Sequence, residues 1–203
     1  MTTTAPVSVA VEGESDVGMA NALLAHVGLS RARCLVKRGA ANLDKLIPGL
    51  ARTTIHNPWI VFRDSDGKCP VHLREQLVGS RSHGDGFELR LACTMTEAWL
   101  LADVRGFSAY FKVPMIRLPQ APDDLPHAKR ELLVLCQRHS PRSIRGDMVR
   151  PDGTTGPLYV QRINEFASRH WDVKQACVRS PSLARSVTRL AALRNELLAR
   201  SPR

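Results

Sequence analysis

Apolar residues recur along this chain in two rhythms. Short, largely apolar runs at residues 7–11, 33–36, 59–62 and 87–91 read as strands. Between the first two, Ala20, Leu23, Leu24 and Val27 fall at i, i+3, i+4 and i+7, which predicts a helix over 16–27 that Gly28 stops. A looser helical pattern covers 41–50 and ends at Pro48-Gly49. A helix at 71–78 leads through a polar turn at 79–86 to the fourth strand, and a further helix is expected at 96–103. Strands alternating with helices at such short spacings predict an α/β fold, with a mainly parallel four-stranded sheet covered by helices on both faces.

The rhythm changes in the second half. Pro114, Pro119, Pro122 and Pro126 make 113–126 a loop or linker, and a helix follows at 128–139. Residues 140–157, rich in Pro, Gly and Arg, are expected to be mobile or ordered by a ligand. Helices at 160–171 and 182–199 close the chain, the second capped by Ser180 with Pro181 in its first turn. The expected division is an α/β domain over 5–112 and a linker plus basic helical extension over 113–203. No internal repeat or low-complexity segment interrupts it.

Composition adds a partner. The 203 residues carry 29 Lys+Arg against 19 Asp+Glu, a balance suited to a polyanion, with nucleic acid the natural one. From Val160 onward the surplus is six, nine lysines and arginines against Glu165, Asp172 and Glu196. The five cysteines (Cys34, Cys69, Cys93, Cys136, Cys177) are never closer than 24 residues, which excludes a zinc knuckle or a CxxC redox pair. Scattered thiols, no signal-peptide pattern in Met1 to Pro6 and no run of membrane-spanning length give the expectation of a soluble, cytoplasmic protein with no membrane partner.

The chemistry concentrates in two acidic clusters. Glu12-Gly13-Glu14-Ser15-Asp16 follows the first strand and Asp64-Ser65-Asp66 the third. Open α/β sheets build their sites at such strand ends. Carboxylates converging there repel one another unless a divalent cation sits between them, so the pattern predicts a magnesium site.

The order of strand, Glu12-Gly13, helix, strand, hydrophobic strand and Asp64-x-Asp66 resembles the Toprim domain shared by topoisomerases, bacterial primases and the OLD (overcoming lysogenization defect) nucleases, over roughly residues 7–103. The resemblance implies that Glu12, Asp64 and Asp66 hold Mg²⁺ or Mn²⁺ beside a phosphodiester. Asp16 stands where the OLD-type branch has a second acid, one turn after the glutamate. Thr96-Glu97-Ala98-Trp99-Leu100-Leu101-Ala102-Asp103 is similar to a stretch of small RloB-like Toprim proteins, often encoded beside an AAA- or ABC-type ATPase. Gly156-Pro157-Leu158-Tyr159 and Ser180-Pro181-Ser182-Leu183 are similar to that group as well. The same resemblance implies a nuclease with Glu97 as a further catalytic or metal-associated acid, an ATPase partner and a role in phage defence; the residues are compatible with a monomer or a homodimer.

Simpler roles exist for the same residues. Glu12, Glu14 and Asp16 suit a helix N-terminus, and Asp64-Ser65-Asp66-Gly67 suits a turn. An EF-hand fails because Lys68 and Cys69 occupy its fifth and sixth positions. Thr94-Met95-Thr96-Glu97 forms a capping box that would itself explain Glu97. On the last helix Leu183, Val187, Leu190, Leu197 and Leu198 share a face with Arg194, which needs an anionic partner or must snorkel outward, while Arg185, Arg189 and Arg200 line the other side. Lys68, Lys129, Arg185, Arg189 and Arg194 are the candidates for substrate phosphate. Three functions are compatible with these residues: a Mg²⁺-dependent nuclease; a phosphatase of the haloacid dehalogenase kind, whose first motif the strand running into Asp64-Ser65-Asp66-Gly67 resembles although it normally opens the core sheet; and a non-catalytic subunit that binds nucleic acid or an ATPase.

Overall fold

The computed structural model describes residues 4–79 and 84–200. Residues 80–83 of the turn expected at 79–86 lie outside them. Strands β1 (Ala5–Val11), β2 (Leu29–Val36), β3 (Trp59–Asp64) and β4 (Phe87–Ala92) form one all-parallel sheet in the order β2-β1-β3-β4. β2 starts earlier than its apolar run because it is an edge strand, and Ser30, Arg31 and Arg33 are partly or fully exposed there. Helix α1 (Asp16–Val27) joins β1 to β2, α2 (Ala40–Asp44) and α3 (Ile47–Leu50) join β2 to β3, and α4 (Pro70–Val78) joins β3 to β4. Gly28 closes α1 in the left-handed region at φ 77°, its N–H returned to the carbonyls of Leu24 and Ala25.

Side-chain alternation puts the two faces to separate use. Val7, Val9, Val11, Ile60 and Phe62 face α1 and the later helices, while Ala10, Val61, Phe87 and Leu89 face Leu43 and Ile47 of α2 and α3. Helices α5 (Thr96–Ala102), α6 (Val104–Phe111), α7 (Ala128–His139), α8 (Arg142–Met148), α9 (Tyr159–Arg169), α10 (Val173–Arg179) and α11 (Pro181–Arg200) enlarge the first face. One core therefore takes side chains from both sides of the division at 112/113, from Phe62 and Trp99 to Phe166 and Leu190. Trp99 is fully buried, edge-on to Phe62 at 6.3 Å, and its Nε1 donates to Ser182 Oγ at 2.7 Å.

Three helices escaped the periodicity reading, each for a local reason. Asp103 opens α6 by accepting the Gly106 N–H at 3.0 Å, and Asp172 opens α10 by accepting the Gln175 N–H at 3.1 Å. The segment 140–157 is ordered by the chain itself: it contains α8, Asp147 pairs with Arg162 at 2.6 Å, and Val149 bridges to Thr155. The loop at 113–126 holds two single 3₁₀ turns. Ser180 caps α11 as expected, its Oγ accepting the Leu183 N–H at 3.2 Å. All five cysteines are unpaired, and among the described residues no helix is long and apolar enough to cross a membrane.

The strand order locates a site before any side chain is considered. β1 leads to β2 on one side and β3 leads to β4 on the other, so the chain diverges between the carboxyl ends of the adjacent strands β1 and β3. Such a switch point leaves a crevice. Glu12 directly follows β1 and Asp64 ends β3.

Candidate active site

Acids gather at that crevice on two levels. On the α1 and α5 side, Asp16 accepts the Gly13 N–H through Oδ2 and the Thr96 hydroxyl through Oδ1, both at 2.9 Å. Asp64 Oδ1 accepts the Thr96 N–H at 2.9 Å. Glu97 Oε1 accepts the Tyr159 hydroxyl at 2.7 Å, with Lys129 Nζ 3.8 Å away and lying 4.8 Å over the Tyr159 ring. These bonds overturn the capping box expected at Thr94 to Glu97. The helix starts at Thr96, the Thr94 hydroxyl is buried without a partner, and the Glu97 carboxylate is turned inward.

On the α2 side the organiser is Arg63, a residue the strand pattern concealed. Its side chain is 2% exposed. Nη1 donates to Glu12 Oε1 at 3.0 Å, to Asp66 Oδ2 at 2.9 Å and to the carbonyl of Asp64, and Nε donates to Asp44 Oδ1 at 2.8 Å. Glu12 Oε1 also accepts the Asp64 N–H at 2.8 Å, which ties the end of β1 to the end of β3. The sequence signal for Arg63 was a lone cation inside an apolar strand, directly before the acidic pair. Asp44, on a helix of five residues, offered none.

Burial raises acids on both levels. Burial pushes Asp16 up to about 6, with Glu97 and Glu12 adding to the effect against its two hydrogen bonds. Asp64 is held well above the usual carboxylate range by burial, then by Glu97, Asp16 and Glu12. Burial also raises Glu12, outweighing the Asp64 amide and Arg63. Tyr159 is held protonated by burial and by Glu97, in keeping with its role as donor. Glu12, Asp16, Asp44, Asp64, Asp66 and Glu97 thus crowd one end of the sheet with Arg63 and Lys129 as their paired cations.

A hard divalent ion fits this donor set in kind, since every ligand would be a carboxylate oxygen. It does not fit the present side-chain directions. Among the described residues no three carboxylates, imidazoles or thiols stand in a metal-holding group. Glu12 and Asp66 are engaged by Arg63, and Asp16 and Glu97 by Thr96, Gly13 and Tyr159.

The expected phosphate contacts separate. Lys129 is in the site and exposed Lys68 lies on the loop just after Asp66. Arg189 is paired with Glu88 at 3.0 Å, and Arg185 lines a groove beside β4. Arg194 is not brought to the acids. A Cβ at Gly28 would lie 3.4 Å from its Nε, so it packs at the far end of α1, about 18 Å from Asp16 by helix rise. There it meets the negative end of the α1 dipole and donates to Asn195 Oδ1 at 2.9 Å, which explains a cation on an apolar face.

Comparison of the chain with family models, with curated proteins and with solved structures finds no match. The fold and site define an α/β protein of the Rossmann-like class with an acidic crevice at its switch point.

Proposed function

We propose that the chain is a Mg²⁺- or Mn²⁺-dependent hydrolase of the Toprim kind that cleaves phosphodiesters in nucleic acid. The observation that carries this reading is the crowding of six carboxylates against two cations at the switch point, with Asp16 and Asp64 both driven toward protonation. Like charges gathered in this way favour uptake of a divalent cation. Asp16 and Asp64 would hold the ion, with Glu12 released from Arg63 and Glu97 joining from α5. When bound, it would supply Lewis-acid stabilisation of charge at the phosphorus centre. Lys129 and Lys68 would contact the phosphate, while Thr96 orients Asp16 and Asp64 through its hydroxyl and amide. The resemblance extends this reading to a cytoplasmic phage-defence effector beside an AAA- or ABC-type ATPase.

The test is cleavage of single- and double-stranded DNA and RNA with Mg²⁺ or Mn²⁺, with calorimetric titration of Mn²⁺ alongside. Cutting should stop with chelator and in Asp64→Asn, and that variant should bind Mn²⁺ at least about tenfold more weakly. Equal cutting by the variant and the parent protein sinks the assignment.

Arg63 favours a second reading. Its guanidinium already bridges Glu12, Asp44 and Asp66, as a structural cation would, and on this reading the chain serves without catalysis as a nucleic-acid-binding or ATPase-binding subunit. Nucleic-acid binding with no Mn²⁺ uptake at any pH would select it.

A further inference from the structure

The outer edge of β4 at Leu89 to Leu91 forms the floor of a groove of about 730 Å³ between α4 and α11. Strand alternation decides which backbone groups face it. The carbonyls of Gly86 and Ala92 accept the N–H groups of Trp59 and Ser65 at 2.7 and 3.0 Å, on the β3 side. Leu89 and Leu91 are out of phase with them, so their N–H and C=O groups point outward. Arg74 Nη1 marks that side by donating to the Leu89 carbonyl at 3.2 Å. Among the described residues the Leu89 N–H and both backbone groups of Leu91 have no partner. An edge with unpaired backbone groups is a template for another strand.

The walls say what that strand carries. On the α11 side Arg90 and Arg189 share the single carboxylate Glu88, at 2.9 and 3.0 Å, and Arg185 stands exposed beside them. On the α4 side stand Pro70 and Val71, the latter 71% exposed, with the Arg74 guanidinium drawn down onto the Leu89 carbonyl. Successive side chains of an added strand point to opposite faces, so one set would meet Arg90, Arg185 and Arg189 and the other the apolar surface of Pro70 and Val71. We propose that this edge is a docking groove for an extended segment of a partner protein, alternating acidic and apolar residues, which adds to the sheet as a fifth strand. The open ladder is the short stretch at Leu89 to Leu91, about 10 Å, because the Phe87 N–H already goes to the Gly84 carbonyl and the Leu89 carbonyl to Arg74, so the docked segment pairs over a few residues centred on Leu91. A second copy of β4 would bring the same cations against these, and a sugar-phosphate chain has no N–H ladder to match Leu91. The inference is independent of the hydrolase reading.

The experiment uses the full chain and a fluorescein-labelled hexapeptide of alternating glutamate and valine, with a lysine-valine peptide and an oligothymidylate of equal charge as comparisons. The acidic peptide should bind, and its Kd should rise about tenfold or more in Arg185→Glu and again in Leu91→Pro. Proline at 91 deletes an outward N–H that the sheet does not use. In the parent protein the peptide should slow amide exchange at Leu89 and Leu91, a readout that decides alone if the proline variant does not fold. Equal binding of the lysine peptide, or no slowing at Leu91, overturns the proposal. So does tighter binding of oligothymidylate that Arg185→Glu weakens and Leu91→Pro leaves unchanged, which would make the groove a nucleic-acid track. Failure of nucleic-acid cleavage leaves these outcomes unaffected.

Discussion

Replacing Asp16 by asparagine should make the metal-free protein more stable at pH 8 while disabling its site. The geometry permits the exchange at little cost. Asparagine Oδ1 can keep the Gly13 N–H, and the Thr96 hydroxyl, which now donates to Asp16, can instead accept from the new Nδ2, so both bonds at 2.9 Å survive. What disappears is the buried charge. A carboxyl raised from 3.8 to about 6 disfavours the folded state by about 3 kcal/mol once ionised. The direction with pH is set by proton binding. Between about pH 4 and 6 the folded protein holds a proton that the unfolded chain has lost, so parent stability falls as pH rises through that window and stays lowered above it. Asp16→Asn escapes the loss and should gain about 2–3 kcal/mol at pH 8, shrinking below about 1 kcal/mol near pH 4. Urea unfolding in chelator at the two pH values measures this. Added Mn²⁺ should then stabilise the parent protein and not the variant. A variant that is less stable at pH 8, or equally shifted at both pH values, refutes the electrostatic account of the site.

Two further substitutions probe how the site is built. Arg63→Met leaves Glu12, Asp44 and Asp66 without their shared cation, and because Asp44 and Asp66 are 28% and 42% exposed the loss should fall near about 3 kcal/mol, the low end for a broken buried pair. A loss under about 1 kcal/mol in urea unfolding would show that Arg63 acts only as a surface partner. Gly18→Ala places a Cβ 2.7 Å from the Cα and Oδ1 of Asn164, so α9 must shift away from α1 at about 1–3 kcal/mol. An unchanged thermal midpoint would mean that this crossing is looser than it stands.

The sheet was legible because its central strands are apolar on both sides, and a continuous apolar run is what a doubly covered strand requires. β1 and β3 are such strands; β2, at an edge and carrying Arg31 and Arg33, was only half recognised. Helices α6, α8 and α10, none longer than eight residues, lack the turns needed to establish a 3.6-residue period. Glu12, Asp16, Asp64 and Glu97 were legible as acids at element boundaries, and the structure gathers them. Arg63 was not, because a charge buried in a strand takes its meaning from partners 19 and 51 residues away. Arg194 misled for the converse reason: its place at the end of α1 is a tertiary fact that helix periodicity alone cannot supply.

The link between α1 and α9 has a temporal meaning. Asn164 accepts the Gly18 N–H at 2.6 Å and donates to the Glu14 carbonyl at 2.9 Å, and the first of these spans 146 residues. On a ribosome adding roughly 5–20 residues per second, the amino-terminal acids wait on the order of ten seconds for the residue that fixes their helix. The crevice is therefore completed late, by polypeptide that contributes no acid to it, and an interrupted translation product would carry the acids without the brace that holds them in register.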